Sequence, residues 1–456
     1  LEATDWRSVR LVAGIIFITR VQSTVYYASF QPMVKTMDHE MDHAFYSIIS
    51  GFYSLGAALS APLFGILANK FEFRRPTLLT VFIMFCGNIG FVFMENIPAN
   101  RRYFALMCKF IVGIAAGGIS VLGTYWVTVI RVEDSATAAA HSRAAMCLGL
   151  AFGPLVQLVA SKIDYPGYVL FGFVHVNMYT LPAMIAIVRR VFQIYFYLVP
   201  SNRSKQKFKN IQDGSAETFS TVDKVAKNEA PLDYFVIFIC YLIRFVQSGF
   251  DANVQNNNPS FVSWMFTFSR EKTSTIGSAI CSACGLLGFA FLVAYVWTGA
   301  VKKVNNRVGV LTGFTLCLFF LLATFSYPTY SEFITHEDCI YPWCSTTRTI
   351  SFPLFLVSYL LLFSIGFPLL NLHTTALLAK QLGGRKQAHW HGLSSFVGTS
   401  SRVVAAPILA KILQSQGIVF TWFLQIGIIA PMILVIIVCY NRLRTPLRLS
   451  ELKLFQ

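Results

Sequence analysis

Between Pro200 and Pro231 the chain reads PSNRSKQKFKNIQDGSAETFSTVDKVAKNEAP, a polar stretch with no apolar run long enough to enter a bilayer. What flanks it is of the opposite character. A spanning helix needs about 20 mostly apolar residues. On that basis segments are expected before it near 9–31, 44–67, 77–95, 103–130, 141–161 and 168–199. After it they are expected near 233–255, 275–300, 308–327, 351–378, 391–413 and 418–440. The polar stretch therefore divides twelve apolar segments six and six, and it reads as a flexible linker. The expected organisation is an N-terminal six-helix bundle over 1–199, a linker over 200–231 and a C-terminal six-helix bundle over 232–456.

Composition agrees with a bilayer as solvent. The 456 residues are 55% hydrophobic and 15% aromatic but only 13% charged, against about 25% charged in soluble domains. The net charge of +16 would suggest nucleic acid in a soluble protein, but here basic residues gather in loops that fix orientation. Loops 2–3 (Lys70, Arg74, Arg75), 8–9 (Lys302, Lys303, Arg307) and 10–11 (Lys380, Arg385, Lys386) are basic, as are both ends. The alternate loops carry Asp38, Glu40, Asp42, Glu332, Glu337 and Asp338. Both termini are thus expected in the cytosol, and no nucleic-acid partner is expected. The sequence opens LEATDWRSVR, without Met, so a preceding tail is expected; no cleavable signal peptide is visible.

HEMDH at 39–43 fits His-Glu-x-x-His, the pattern in which a helix turns two histidines onto one zinc. It falls in a short loop between the first two spans, with apolar FYSIISGFYSLGAALSAP running directly on. A zinc hydrolase needs a third ligand and a folded cleft. Neither fits there, so a solvated acidic loop is the reading, with no enzyme activity, metal or cofactor expected.

The halves echo one another: ITRVQS (18–23) in the first span against IRFVQS (243–248) in the seventh, and GPL (153–155) in the fifth against APIL (406–409) in the eleventh. Such repeats favour a duplicated bundle around a central cavity. GILANKFEFRRP (65–76) resembles the loop 2–3 signature of the major facilitator superfamily, with Asn69 where an Asp is usual and Phe73 in place of the expected Gly-Arg pattern. KFIVGIAAGG (109–118) and LGLAFGPL (148–155) are similar to its helix 4 and helix 5 motifs. Gly65, Asn69, Lys70, Arg74 and Arg75 then form the cytosolic gate motif that the resemblance implies. WRSVR, YSLGAALSAPLFG, NMYTLP, CIYPWC and WHGLSSFVGTSSRVVAAPIL occur in the order seen in the lysosomal, neuronal ceroid lipofuscinosis type 7 subfamily. The resemblance implies an all-α membrane protein of twelve transmembrane helices with pseudo-twofold symmetry. It also implies residence in late endosomes or lysosomes and movement of small solutes, with the plasma membrane as the alternative location.

Charges inside spans carry the chemistry, because an ionisable group at bilayer depth costs a few kcal/mol and usually faces a cavity or partner. Arg20 and Arg244 lie midway along symmetry-related segments, with Gln22 and Gln247 within a turn. Two guanidiniums on one aqueous cavity make an anion site, each a fork of donors for phosphate, sulfate or carboxylate. The alternative is local pairing, Arg244 with Asp251. Asp251, His373 and His391 are the groups that could carry a coupling proton, each with a hydrogen-bonded structural role as its alternative; chloride is the other coupling ion considered. Asn371 completes the expected cavity set. Arg402 belongs to the helix 11 motif and is assigned a structural role behind the cavity. Cys339 and Cys344, in the longest luminal loop, are expected to form a disulfide in an oxidising lumen.

The leading expectation is a monomeric secondary transporter of a small anionic solute, embedded in the lipid bilayer and working by alternating access. An anion (chloride) channel on the same scaffold and a non-transporting interaction protein are the alternatives.

Overall fold

A computed structural model describes residues 6–38, 43–71, 74–122, 134–160, 163, 167–170, 174–177, 180–181, 183–188, 232–266, 270–330, 332–334, 341–383 and 387–444. Helices α1 (Trp6–Met37), α2 (His43–Lys70), α3 (Arg74–Val92), α4 (Arg101–Leu122) and α5 (Ser135–Ala160) precede two short strands, β1 (Tyr168–Leu170) and β2 (Val174–Val176). Then come α6 (Tyr234–Met265), α7 (Arg270–Trp297), the single turn α8 (Ala300–Lys303), α9 (Asn306–Ala323), α10 (Phe352–Ser358), α11 (Ser364–Leu382) and α12 (Ala388–Val438). A π-helical turn at Tyr359–Phe363 joins α10 to α11 into one span.

Every expected apolar segment except the sixth overlaps one or more of these helices, the end of the fourth (123–130) lying outside the described residues. The sixth, placed at 168–199, begins as an antiparallel hairpin pairing Tyr168 with Val176 and Leu170 with Val174, and among the described residues helix follows at 181 and 183–188. The described residues are otherwise mostly helical, as the all-α expectation has it, and the hairpin is a local departure within that fold. The segment YVLFGFVHV is rich in β-branched and aromatic residues, which suit a pleated strand as well as a span. Buried Glu95 holds the hairpin to the end of α3, accepting from Asn177 Nδ2 at 2.8 Å and lying 3.3 Å from His175 Nδ1. Residues 189–231, including the expected linker, lie outside the described residues.

Helix ends follow local chemistry. Asp233 caps α6, its carboxylate accepting from the amides of Phe235 and Val236. α12 extends over 51 residues as two helices joined across a kink, far longer together than a bilayer of about 30 Å requires. Gly417, at φ 86°, breaks it into two spans. A Cβ there would lie 2.6 Å from the Trp343 ring, whose Nε1–H donates to the Gln414 carbonyl at 2.9 Å. Among the described residues seven helices are long and apolar enough to cross a membrane. Leu59, Leu63, Phe82, Phe238, Phe423 and Leu434 stand more than half exposed, as side chains that face acyl chains rather than water would.

Packing repeats across the chain. α1 lies on α5 as α6 lies on α12, and α3 lies on α4 as α9 lies on α11. Between the halves, α2 meets α12 and α5 meets α7. The second helix of each half thus crosses the fifth of the other, which is the pattern a pseudo-twofold axis produces. Small residues set the closeness of these crossings: a Cβ on Gly56 of α2 would sit 2.5 Å from the Phe110 carbonyl of α4, and one on Gly285 of α7 would sit 2.6 Å from the Ala151 amide of α5.

Candidate functional site

Each half seats an arginine of its first helix against a glycine of its fifth. Gly149 of α5 faces Arg20, so closely that a Cβ would come within 2.6 Å of the Arg20 Cβ; one turn further, Thr24 donates its hydroxyl to the Gly149 carbonyl. Gly398 of α12 does the same for Arg244, where a Cβ would lie 3.1 Å from Nε. The guanidinium of Arg244 donates through Nη1 to Asn371 Oδ1 at 2.7 Å and more weakly to Gln247 Oε1 at 3.5 Å. Asn371 and Gln247 are both buried, so they position this arginine from behind.

Both arginines line a cavity of about 350 Å³ between the halves, together with Gln22. Lys109 of α4, Arg143 of α5 and Arg402 of α12 share its wall, and no Asp or Glu is among the described lining side chains. Arg143 reaches across to the other half, donating from Nη2 to Thr375 Oγ1 at 3.1 Å. It lies within electrostatic range of Arg20, and Arg244 within range of both Arg143 and Arg402. Like charges within range of one another repel, the more so away from bulk water. Thr19 Oγ1 and Ser142 Oγ, also at the wall, have no hydrogen-bond partner among the described residues.

Asp251 does not pair with Arg244. It is 1% exposed, ion-paired with Arg402 Nη2, and accepts from Gln255 Nε2 at 2.6 Å. Arg402 stands at the cavity wall rather than behind it. It follows Gly398 by four residues, and that spacing keeps it on the helix face that meets α6. His373, expected at the cavity, is turned from it: fully buried, it lies 3.0 Å from Asn306 Oδ1 and 3.1 Å from the Tyr295 hydroxyl. Asn371 and Thr375 are four apart and share the face toward the arginines, which sends residue 373 to the opposite side. His391 does line the cavity.

Of the loop 2–3 motif, Gly65 is buried where α2 crosses the start of α12; a Cβ would sit 3.2 Å from the Ala388 carbonyl and 3.6 Å from Gly392 Cα. Lys70 and Arg75 are exposed, and the side chains of Asn69 and Arg74 lie outside the described set. Lys302 Nζ adds a second tie between the halves, 3.0 Å from Asp134 Oδ1. Cys344 is disulfide-bonded; Cys339 lies outside the described residues, as do residues 39–42 of HEMDH.

Arg143 was not legible as a site residue in the sequence, although a lone charge in HSRAAMCLGLAFGPL is the signal that finds it. Lys109 was visible only as part of a motif.

Helical halves related by a pseudo-twofold, with a polar cavity between them, define a multi-pass membrane protein built like a solute carrier. The chain belongs to the major facilitator superfamily, whose sequence profile matches residues 12–406; this is a superfamily of transporters rather than enzymes. It is 23% identical over 472 residues to Major facilitator superfamily domain-containing protein 8 of Xenopus laevis, covering 96% of this chain and 92% of that protein. Its fold is similar to that of the human organic anion transporter MFSD10 (TETRAN), with a TM-score of 0.61 at 14% identity over 94% of this chain and 97% of the other. The proton:xylose symporter XylE, bound to 6-bromo-6-deoxy-D-glucose, gives a TM-score of 0.65 at 13% identity over 98% of both chains.

Proposed function

We propose that this chain is a secondary transporter that moves a small anionic solute across the lysosomal or late endosomal membrane by alternating access. The observation that carries the reading is the cavity wall: Arg20, Arg143, Arg244 and Arg402 line it, Lys109 stands further along it, and no described lining side chain is a carboxylate. Arg20 and Arg244 come from symmetry-related helices, so the bound anion is held by both halves and senses their relative motion. In this reading residues 1–199 and 232–456 are the two rocking bundles, 200–231 is their cytosolic tether, and both termini are cytosolic. The Gly65–Gly392 crossing is a gate contact at the cytosolic end. The subfamily resemblance carried by the sequence motifs, WHGLSSFVGTSSRVVAAPIL among them, supports the endolysosomal location.

The coupling ions considered in this reading are the proton, for which Asp251, paired with Arg402 beside the cavity, is the candidate carrier, and chloride. A cavity of about 350 Å³ also falls within the roughly 300–1,000 Å³ of small-molecule sites, which favours a carrier of molecules over a chloride channel.

Reconstituted vesicles test the reading. Uptake and counterflow of phosphate, sulfate and short carboxylates are compared for the wild type and for Arg20→Gln, Arg244→Gln and Arg244→Lys. Losing one charge-assisted contact of about 1.5–3 kcal/mol should weaken counterflow by about ten- to a hundred-fold in the Gln variants. Arg244→Lys, which keeps the charge without the fork, should fall between. Undiminished counterflow in a correctly folded Gln variant removes that arginine from the site.

A further inference from the structure

The cavity differs in chemistry from one end to the other. Its arginines gather around the level of Arg20, whereas ten residues along α1 the wall is formed by Phe30. At about 1.5 Å per residue that places Phe30 about 15 Å from Arg20 along the axis. Phe91 of α3 packs edge-on against Phe30 with centroids 5.7 Å apart, and Tyr46 of α2 lies 6.4 Å from it. Lys109 Nζ sits 3.9 Å from the centre of the Phe30 ring and 5.6 Å from that of Phe91. The charge at this end is thus taken up by ring faces. A cation over a ring is stabilised by the ring's negative face, and Lys109 here serves the aromatic wall more than it offers a second anion clamp. Ile49 and Met84 complete an apolar surround.

Resting on the anion reading above and deepening it, we propose that the solute class is an amphipathic organic anion. Its acidic head is held among Arg20, Arg143 and Arg244, and an aryl group at the far end of its body lies against Phe30, Tyr46 and Phe91. Three facts favour this over a simple inorganic ion. The cavity is elongated along α1, its volume is that of a molecule, and one end is aromatic where a hydrated ion gains nothing. Ring–ring contacts add selectivity for aryl over alkyl bodies.

The test is inhibition of sulfate counterflow by ω-phenylalkanesulfonates of increasing chain length, in vesicles containing the full-length protein. Sulfonates stay ionised and do not cross the bilayer as neutral acids. Inhibition should strengthen with chain length until the ring reaches Phe30, then exceed that of the alkanesulfonate of equal length by about ten-fold. Phe91→Leu, which keeps an apolar side chain but removes the ring, should shrink that aryl-to-alkyl ratio several-fold. A flat length series, an aryl-to-alkyl ratio near one, or tighter inhibition by α,ω-disulfonates would each overturn the proposal; the last would assign Lys109 to a second anionic group. These failures are separable from failure of the parent reading: sulfate counterflow that depends on Arg244 but ignores the ring refutes only the aryl class. Absence of any anion counterflow refutes both.

Discussion

Truncating the two members of the Asp251–Arg402 pair should have unequal consequences, because the partners are unequally buried. Asp251 is 1% exposed and Arg402 is 32% exposed, its head at the cavity wall. Removing one partner of a buried ion pair costs about 3–5 kcal/mol, most of it the cost of the stranded charge. In Asp251→Asn the stranded charge is Arg402, which reaches cavity water, so the cost should lie near about 3 kcal/mol. In Arg402→Gln the stranded charge is a buried carboxylate on α6, left with Gln255 and the more distant charge of Arg244 among the described residues, and the cost should approach about 5 kcal/mol. The double variant Asp251→Asn/Arg402→Gln strands nothing and should be more stable than either single variant. Thermal unfolding of the detergent-solubilised protein, followed by tryptophan fluorescence, gives the ranking. Additivity of the two single effects within about 0.5 kcal/mol, or a worse outcome for Asp251→Asn than for Arg402→Gln, would refute the pairing and the burial argument together.

Other expectations follow from the same geometry. Gly417→Ala must adopt φ 86° and meet the Trp343 ring, so it should lower stability by about 1–3 kcal/mol in the same unfolding assay. Gly65→Leu drives a branched side chain into the Ala388 carbonyl and Gly392; it should hold α2 and α12 apart and raise the thiol-labelling rate of a cysteine placed at position 66 by several-fold. A labelling rate unchanged from Gly65 protein sinks that expectation. At the start of α6, the Arg442 guanidinium beside Asp233 holds its carboxyl below the ordinary value of 3.8, aided by the amides of Val236 and Phe235. A depressed folded value means the contribution is fully present above 3.8 and is lost only as pH falls through the lower folded value. Asp233→Asn should therefore erase a small stability difference that is constant from neutral pH down to that range, and pH-dependent melting curves of the two proteins should converge only in stronger acid.

What sequence alone determined is the part that depends on solvent. Apolar runs long enough to cross hydrocarbon, separated by polar loops, fix where helices form, because an unpaired backbone group in lipid has no water to turn to. Arg20, Arg244 and Asp251 were legible for the same reason: a charge within such a run needs a partner or a cavity. The segment YVLFGFVHV escaped this logic, since apolarity without period serves a strand as readily as a span, and contact with Glu95 went with the hairpin. Which charge meets which was beyond the sequence altogether. Asp251 and Arg244 are neighbours along α6, yet the carboxylate turns to Arg402, 151 residues away, while Arg244 reaches Asn371. His373 and Thr375 are two apart, yet only one of them faces the cavity. Pairings of this kind depend on the rotation of each helix about its axis, and that rotation is set by contacts such as Gly149 on Arg20 and Gly398 on Arg244, which exist only once the helices have packed.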